Sequence, residues 1–199
     1  MIDALFGSKT RVKLLHLFLN HPGQSFYVRE ITRIIDEQIN SVRRELANML
    51  SVGIITSDSA DNKLYYEVNQ RYEHYVPLRA IFADAPIEAP VTHEAEVTWQ
   101  SYLKELPGVR IALLAGVLVK GSSSSIDILL VGEVPTARFQ KIMKQIEKTE
   151  GRELNYAMIS YDEFYYRLSV RDKFITEIIG GKHAVLIDTD NMLNNQKET

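Results

Sequence analysis

"FYVREITRIIDEQINSVRRELANMLSVGII", residues 26–55, is the stretch whose reading decides the fold of the first half of this chain. Its apolar side chains recur at helical spacing in two blocks separated by a short polar turn. In "REITRIID" the spacing predicts a short helix with Ile31, Ile34 and Ile35 inward. In "INSVRRELANML" it predicts a longer helix with Ile39, Val42, Leu46, Met49 and Leu50 inward. At about 100° per residue, the direction opposite that second stripe falls near Arg44, with Asn40, Ser41 and Asn48 beside it and Arg43 on the flank. The "FYV" ahead of both helices is a short strand-like entry.

The neighbours of this stretch complete a pattern. Upstream, "SKTRVKLLHLFLNHP" places Val12, Leu15, Phe18 and Leu19 at helical spacing, and "HPG" stops the helix. Downstream, "GIITSDSADNKLYYEV" is two strand-like runs around a Ser/Asp/Asn turn, a hairpin. Helix, helix, helix, hairpin is the order of a winged helix-turn-helix, in which the second helix of the helix-turn-helix enters the major groove of DNA. The polar face of that helix has side chains suited to a duplex. Arginine pairs bidentately with guanine, asparagine with adenine, and serine reaches phosphate or base edges. The expected DNA-binding residues are therefore Asn40, Ser41, Arg43, Arg44 and Asn48, with Lys63 on the hairpin. The plainer reading is that Arg43, Arg44 and Glu45 form the solvated face of a core helix. The hairpin is a weak witness for DNA, because Asp58 and Asp61 stand against Lys63. Tyr65 and Tyr66 are expected to pack rather than stack on bases.

The runs "LFGSKTRVKLL", "FYVREI" and "SVRRELANMLSVGII", within roughly residues 5 to 85, resemble the winged-helix half of prokaryotic transcriptional regulators related to the ArsR and MarR groups. In one subset of those regulators a nucleotidyltransferase-like domain follows. The resemblance implies double-stranded DNA as partner and a homodimer, with the helical extension "YEHYVPLRAIF" packing toward a partner subunit. The stretch "DAPIEAPVTHEAE", residues 84–96, has two prolines and no apolar period, as a linker does. The expected organisation is a winged helix-turn-helix with its extension over 1–85, a linker over 86–96, a second domain over 97–190 and a polar tail over 191–199.

Beyond the linker, "VRIALLAG" and "SIDILLVGE" are apolar runs of strand length, "TARFQKIMKQIEKTE" is an amphipathic helix, and "RELNYAMIS" is a third strand. "YDEFYYRLSV" and "DKFITEIIGG" add helices before a last strand, "HAVLID". Strands alternating with helices indicate an α/β layer. The segment resembles the minimal nucleotidyltransferase fold of the polymerase-beta superfamily. The fold class expected for the whole chain is thus α+β or α/β in two domains, a winged helix-turn-helix followed by a small nucleotidyltransferase-like α/β domain.

That family pairs a Gly-Ser turn after its first strand with two acids one residue apart on its second. Residues two apart on a strand share a face, so the two carboxylates can hold the magnesium ions that clamp a phosphoryl transfer. This sequence keeps Gly116 but has Val117 in place of the serine. It keeps Lys120 and Gly121, has Ser125 in place of the first acid, and retains Asp127 as the second; the later strand offers Asn155, with Glu153 nearer its entrance. One or two carboxylates make a poor magnesium site, since the ion demands octahedral oxygen ligation. The resemblance therefore implies a scaffold without transferase chemistry, no metal, and Asp127 as the one residual catalytic or metal-binding candidate. Asp127 has a second reading, as a partner of neighbouring hydroxyls or amides. Gly116, Lys120, Gly121, Ser122, Ser123 and Ser125 are candidates for cradling a phosphate or nucleotide effector. Against that, the serine run reads as a polar strand-to-strand turn. Trp99 is expected to be buried, and Tyr161, Phe164, Tyr165 and Leu168 to pack along one helix.

Composition agrees with a globular protein: the 199 residues are 45% hydrophobic and 25% charged. No apolar run approaches the roughly 18–20 residues of a membrane span, no secretory signal is evident, and a cytoplasmic location without membrane contact is expected. The absence of cysteine excludes disulfides and thiolate zinc sites, and the five histidines are scattered; no cofactor is expected. The net charge of −3 argues against indiscriminate coating of nucleic acid. Residues 1–85 hold ten Lys+Arg and ten Asp+Glu, leaving thirteen and sixteen of the totals 23 and 26 for the remainder. Three functions remain open: a DNA-binding regulator whose second domain serves ligand sensing, dimerisation or partner binding; a magnesium-dependent nucleotidyltransferase targeted by its winged helix; and a protein-interaction module that does not bind DNA.

Overall fold

The computed structural model describes residues 5–60, 62–84 and 99–193, a mixed α+β chain with eight helices and two sheets among them. It divides into two compact units, Met1–Ala89 and Pro90–Thr199. The linker expected over 86–96, Asp61 at the hairpin, and the end of the tail from 194 onward lie outside the described residues.

The first unit starts with α1, Lys9–Asn20, whose N-cap Ser8 accepts the Arg11 amide and so satisfies one of the open donors of the first turn. Six apolar residues from Val12 to Leu19 are buried along α1, which makes it the central pillar of this core. A two-residue strand β1, Phe26–Tyr27, leads directly into α2, Val28–Ile35. After a turn through Asp36 comes α3, Ile39–Val52. The Asp36–Glu37 turn is fastened to α1: Lys13 Nζ donates to the Ile35 carbonyl at 2.7 Å and pairs with Glu37 Oε1 at 2.9 Å, and Thr10 donates to Glu37 Oε2 at 3.3 Å. Helix α3 ends at Gly53, whose φ of +86° lets its amide reach back to the Met49 and Leu50 carbonyls.

Strands β2, Ile55–Ala60, and β3, Lys63–Val68, form an antiparallel hairpin, and β1 adds to its far side, giving the order β1-β3-β2. Alternation along the strands puts Phe26, Ile55, Tyr66 and Val68 on the core side and leaves Tyr27, Thr56, Asp58, Tyr65 and Glu67 on the outer face. Helix α4, Tyr75–Phe82, returns along α1: Phe82 is buried against the rings of Phe6 and His16, both at 5.1 Å, and its carbonyl accepts from Asn20 Nδ2 at 2.9 Å. The extension that family resemblance directs toward a partner thus buries Tyr75 and Phe82 within its own chain and turns Ile81 outward.

Two inward assignments on α2 and α3 are corrected: Ile34 and Ile39 are 51% and 37% exposed, whereas Leu50 is half-buried and packs against the core. Glu45, which the plainer reading of α3 puts on the solvated face with Arg43 and Arg44, is only 3% exposed. The apolar arc on each helix is wider than the surface that α1 and the sheet cover, so its edges stay wet.

The second unit comprises α5 (Trp99–Lys104), β4 (Val109–Leu114), a 3₁₀ turn (Gly116–Leu118), β5 (Ile128–Gly132), α6 (Thr136–Glu150), β6 (Tyr156–Ile159), α7 (Tyr161–Ser169), α8 (Lys173–Gly180) and β7 (Ala184–Asp188). The sheet order is β6-β5-β4-β7; β4 runs antiparallel to both neighbours, and α6 is the crossover that makes β6 parallel to β5. Ala112, Leu114, Ile128 and Leu130 pack with Leu103 of α5 and Phe139, Met143 and Ile146 of α6. The alternate residues Ile111, Leu113, Leu129 and Val131 pack with Phe164 of α7 and Ile175 and Ile178 of α8. Strands covered on both faces read as unbroken apolar runs, which is why "IALL" and "ILLV" lack alternation. Trp99 is half-buried, with Nε1 donating to Glu150 at 2.9 Å, and Tyr165 is 59% exposed while Phe164 beside it is fully buried.

Candidate functional site

Helix α3 faces two ways. Val42, Glu45, Leu46 and Met49 are buried beneath it, while Asn40, Arg43, Arg44 and Asn48 are exposed and Ser41 is half-buried. Five sequence-predicted residues therefore share the accessible side of one helix. The Arg44 side chain is 70% exposed. Lys63 sits at the start of β3 with Nζ 5.1 Å from the Tyr27 ring centroid, a contact to the short strand rather than to α3.

Beneath this surface lies a carboxylate that periodicity did not point to. Glu45 Oε2 accepts from Arg11 Nε at 2.9 Å and lies 3.5 Å from Asn48 Nδ2, while Oε1 is 4.0 Å from Arg44 Nη2. Burial pushes this carboxyl toward the neutral form, but hydrogen bonds from Ser8, Arg11 and Asn48 outweigh it, and the net effect holds Glu45 below the usual carboxylate range. A charged Glu45 therefore joins α1 to α3. Arg29 and Arg33, four residues apart on α2, are exposed as well, and neither makes an ion pair among the described residues. Helical periodicity along α2 is the signal that would have pointed to them, as it does along α3.

In the second unit Asp127 immediately precedes β5 and is fully buried. Its Oδ1 accepts the Val117 amide at 2.8 Å and its Oδ2 the Asn155 amide at 2.8 Å, and its own amide donates to the Asn155 carbonyl at 2.7 Å. Both carboxylate oxygens thus fasten the turn after β4 to the entrance of β6. Glu153, the other acid considered, is exposed. Among the described residues no group of three or more His, Cys, Asp or Glu side chains is placed to hold a metal ion.

The serine run closes on itself. Ser122 Oγ accepts the Gly116 amide at 3.0 Å, and Ser124 Oγ both donates to the Ile126 carbonyl at 2.9 Å and accepts its amide at 3.1 Å. Asn155 Nδ2 donates to the Ser125 carbonyl at 3.0 Å. Gly116 and Ser122, two of the six cradle candidates, are therefore bonded to each other, and the Val117 amide is held by Asp127. Lys120, Gly121, Ser123 and Ser125 are exposed. A cation from a distant part of the chain joins them: Lys182, from the α8–β7 turn, lies so close that a Cβ on Gly121 would sit 3.0 Å from its Nζ.

No protein-family model, curated protein or solved structure gives a significant match to the chain. The reading of both sites therefore rests on their own geometry.

Proposed function

We propose that the chain is a DNA-binding transcriptional regulator: its first unit is a winged helix-turn-helix that reads duplex DNA through α3, and its second is a nucleotidyltransferase-like scaffold without transferase chemistry. The observation that carries this reading is the exposed set Asn40, Arg43, Arg44 and Asn48 on a helix whose other side is buried. Those are side-chain types that match base edges and phosphates, and they are presented on a rigid element. The sheet order β1-β3-β2 around the α2–turn–α3 pair supports the same assignment. The engagement of both Asp127 oxygens by backbone amides weighs against a magnesium-dependent transferase, since binding a metal there would strip two amides of their acceptor.

Within this proposal the second unit acts as a sensor, dimerisation or partner-binding module. The turn bearing Lys120, Gly121, Ser123 and Ser125, with Lys182 alongside, is the place for a phosphate-bearing effector. As a homodimer the protein would recognise two half-sites about one helical turn, or a multiple of it, apart.

Selection of bound fragments from a random duplex pool, using the full chain at low salt, tests the proposal. Enrichment of one motif, with affinity falling as salt rises, is the expected result. Failure to retain any duplex would leave the protein-interaction reading standing, whereas magnesium-dependent transfer of a labelled nucleotide would restore the enzyme reading.

A further inference from the structure

We infer that Glu45 is a positioning residue of the reading surface, a buried acid that orients Arg44 and Asn48 and restrains their attraction to phosphates; the inference rests on the duplex-binding reading of α3. Glu45 is the one ionisable side chain on the buried side of α3, at 3% exposure. Its carboxylate sits at a branch point: Arg11 Nε at 2.9 Å, Asn48 Nδ2 at 3.5 Å and Arg44 Nη2 at 4.0 Å. Arg11 is itself braced, because its Nη1 donates to the Phe6 carbonyl at 3.0 Å. A chain of contacts thus runs from the start of α1 through one carboxylate to two neighbouring side chains that face solvent.

Attachment of α3 to the core does not require this arrangement. Val42, Leu46 and Met49 already do that, and a buried ion pair replaced as a whole by apolar residues is often neutral or favourable for stability, whereas removing one partner alone leaves the other uncompensated. What an apolar residue at 45 cannot do is hold a guanidinium. Arg44, with 70% of its side chain exposed, would otherwise sample many rotamers and lose that freedom on binding. A fixed carboxylate 4.0 Å away narrows the sampling beforehand. The same negative charge, placed under a surface that approaches phosphates, lowers affinity for duplex of any sequence. Glu45 therefore raises the ratio of specific to non-specific binding from both directions.

The test compares wild type with Glu45→Gln and Arg11→Lys, full chain, on a duplex carrying the motif selected by the wild type and on a scrambled duplex of the same composition. Glu45→Gln is expected to bind the scrambled duplex more tightly and the motif no better, so that the ratio falls about tenfold, the scale of one bidentate base contact. The slope of log affinity against log salt should steepen by about one, as a further cation becomes free to meet phosphate. Arg11→Lys keeps the charge but loses the Nε donor, and is expected to lower the ratio in the same sense. A purely structural role would weaken both duplexes alike, and an unchanged ratio and slope in Glu45→Gln would overturn the inference while leaving duplex binding intact. If the wild type itself selects no motif, the duplex reading falls and takes this inference with it. Side-chain NMR relaxation of Arg44 in the unmutated protein settles the case where neither variant folds: an ordered guanidinium is expected, and one as mobile as that of Arg43 would refute the role.

Discussion

Asp127 Oδ1 accepts the backbone amide of Val117 at 2.8 Å, which ties the turn after β4 to the buried carboxylate just ahead of β5. The second oxygen is closed by Asn155 at 2.8 Å. This carboxylate acts as a peg between two strands.

Asp127→Ala should accordingly destabilise the fold. It would strand two amides in a fully buried place, at a cost of about 2–4 kcal/mol. Urea denaturation followed by circular dichroism measures it. Millimolar magnesium should leave the thermal midpoint of the wild type unchanged; a rise of several degrees would show that the carboxylate can leave its amides for a metal.

Arg44→Ala should weaken binding to the selected motif by about 1–3 kcal/mol while barely altering binding to a scrambled duplex. Arg43→Ala on the flank should weaken both by similar amounts and reduce the salt slope by about one. Fluorescence anisotropy titrations at several salt concentrations separate the two behaviours, and equal effects from both substitutions would remove the distinction between centre and flank of α3.

Stability should fall below about pH 4.5 through Glu45 and Glu37. Glu45 is held below its ordinary value of 4.5 by the bonds that outweigh its burial, and Glu37 is lowered chiefly by the Lys13 hydrogen bond. A carboxyl with a depressed folded value binds fewer protons in the folded chain than in the unfolded one. Its contribution is fully present above 4.5 and is lost as the pH drops through the depressed value. Urea midpoints between pH 7 and pH 3 should decline, and Glu45→Gln should flatten that decline.

Two glycines should respond differently to alanine. At Gly53 an added Cβ meets nothing within 4 Å, so only the left-handed φ of +86° opposes the change, at about 1–2 kcal/mol. At Gly132 a Cβ would fall 2.0 Å from the Gly108 carbonyl oxygen, and the backbone itself must move. Thermal unfolding should show a modest shift for Gly53→Ala and a much larger one for Gly132→Ala.

Local periodicity was enough to locate most helices and strands. Val42, Leu46 and Met49 are buried where their spacing puts them, and the continuous apolar character of β4 and β5 carries over into strands covered on both faces. The polar side of α3 was legible for the same reason: a helix turns by a constant angle, so burial of one stripe exposes the other. The edges of the stripe were not legible. Ile34 and Ile39 are apolar by type yet 51% and 37% exposed, because the width of a buried arc depends on what packs against it.

What the amino-acid order determined by itself, then, is the run of elements, the inward stripes of the helices and the shortage of acids around Asp127. Tertiary structure alone decided the partners: Arg11 reaches Glu45 across 34 positions, Asp127 reaches Asn155 across 28, and Lys182 comes to rest against Gly121. The physical reason is range. Helix and strand periodicities are properties of neighbouring residues, whereas a buried charge finds its partner only once distant segments have packed, and nothing in the local pattern at Glu45 distinguishes a solvated acid from a buried one.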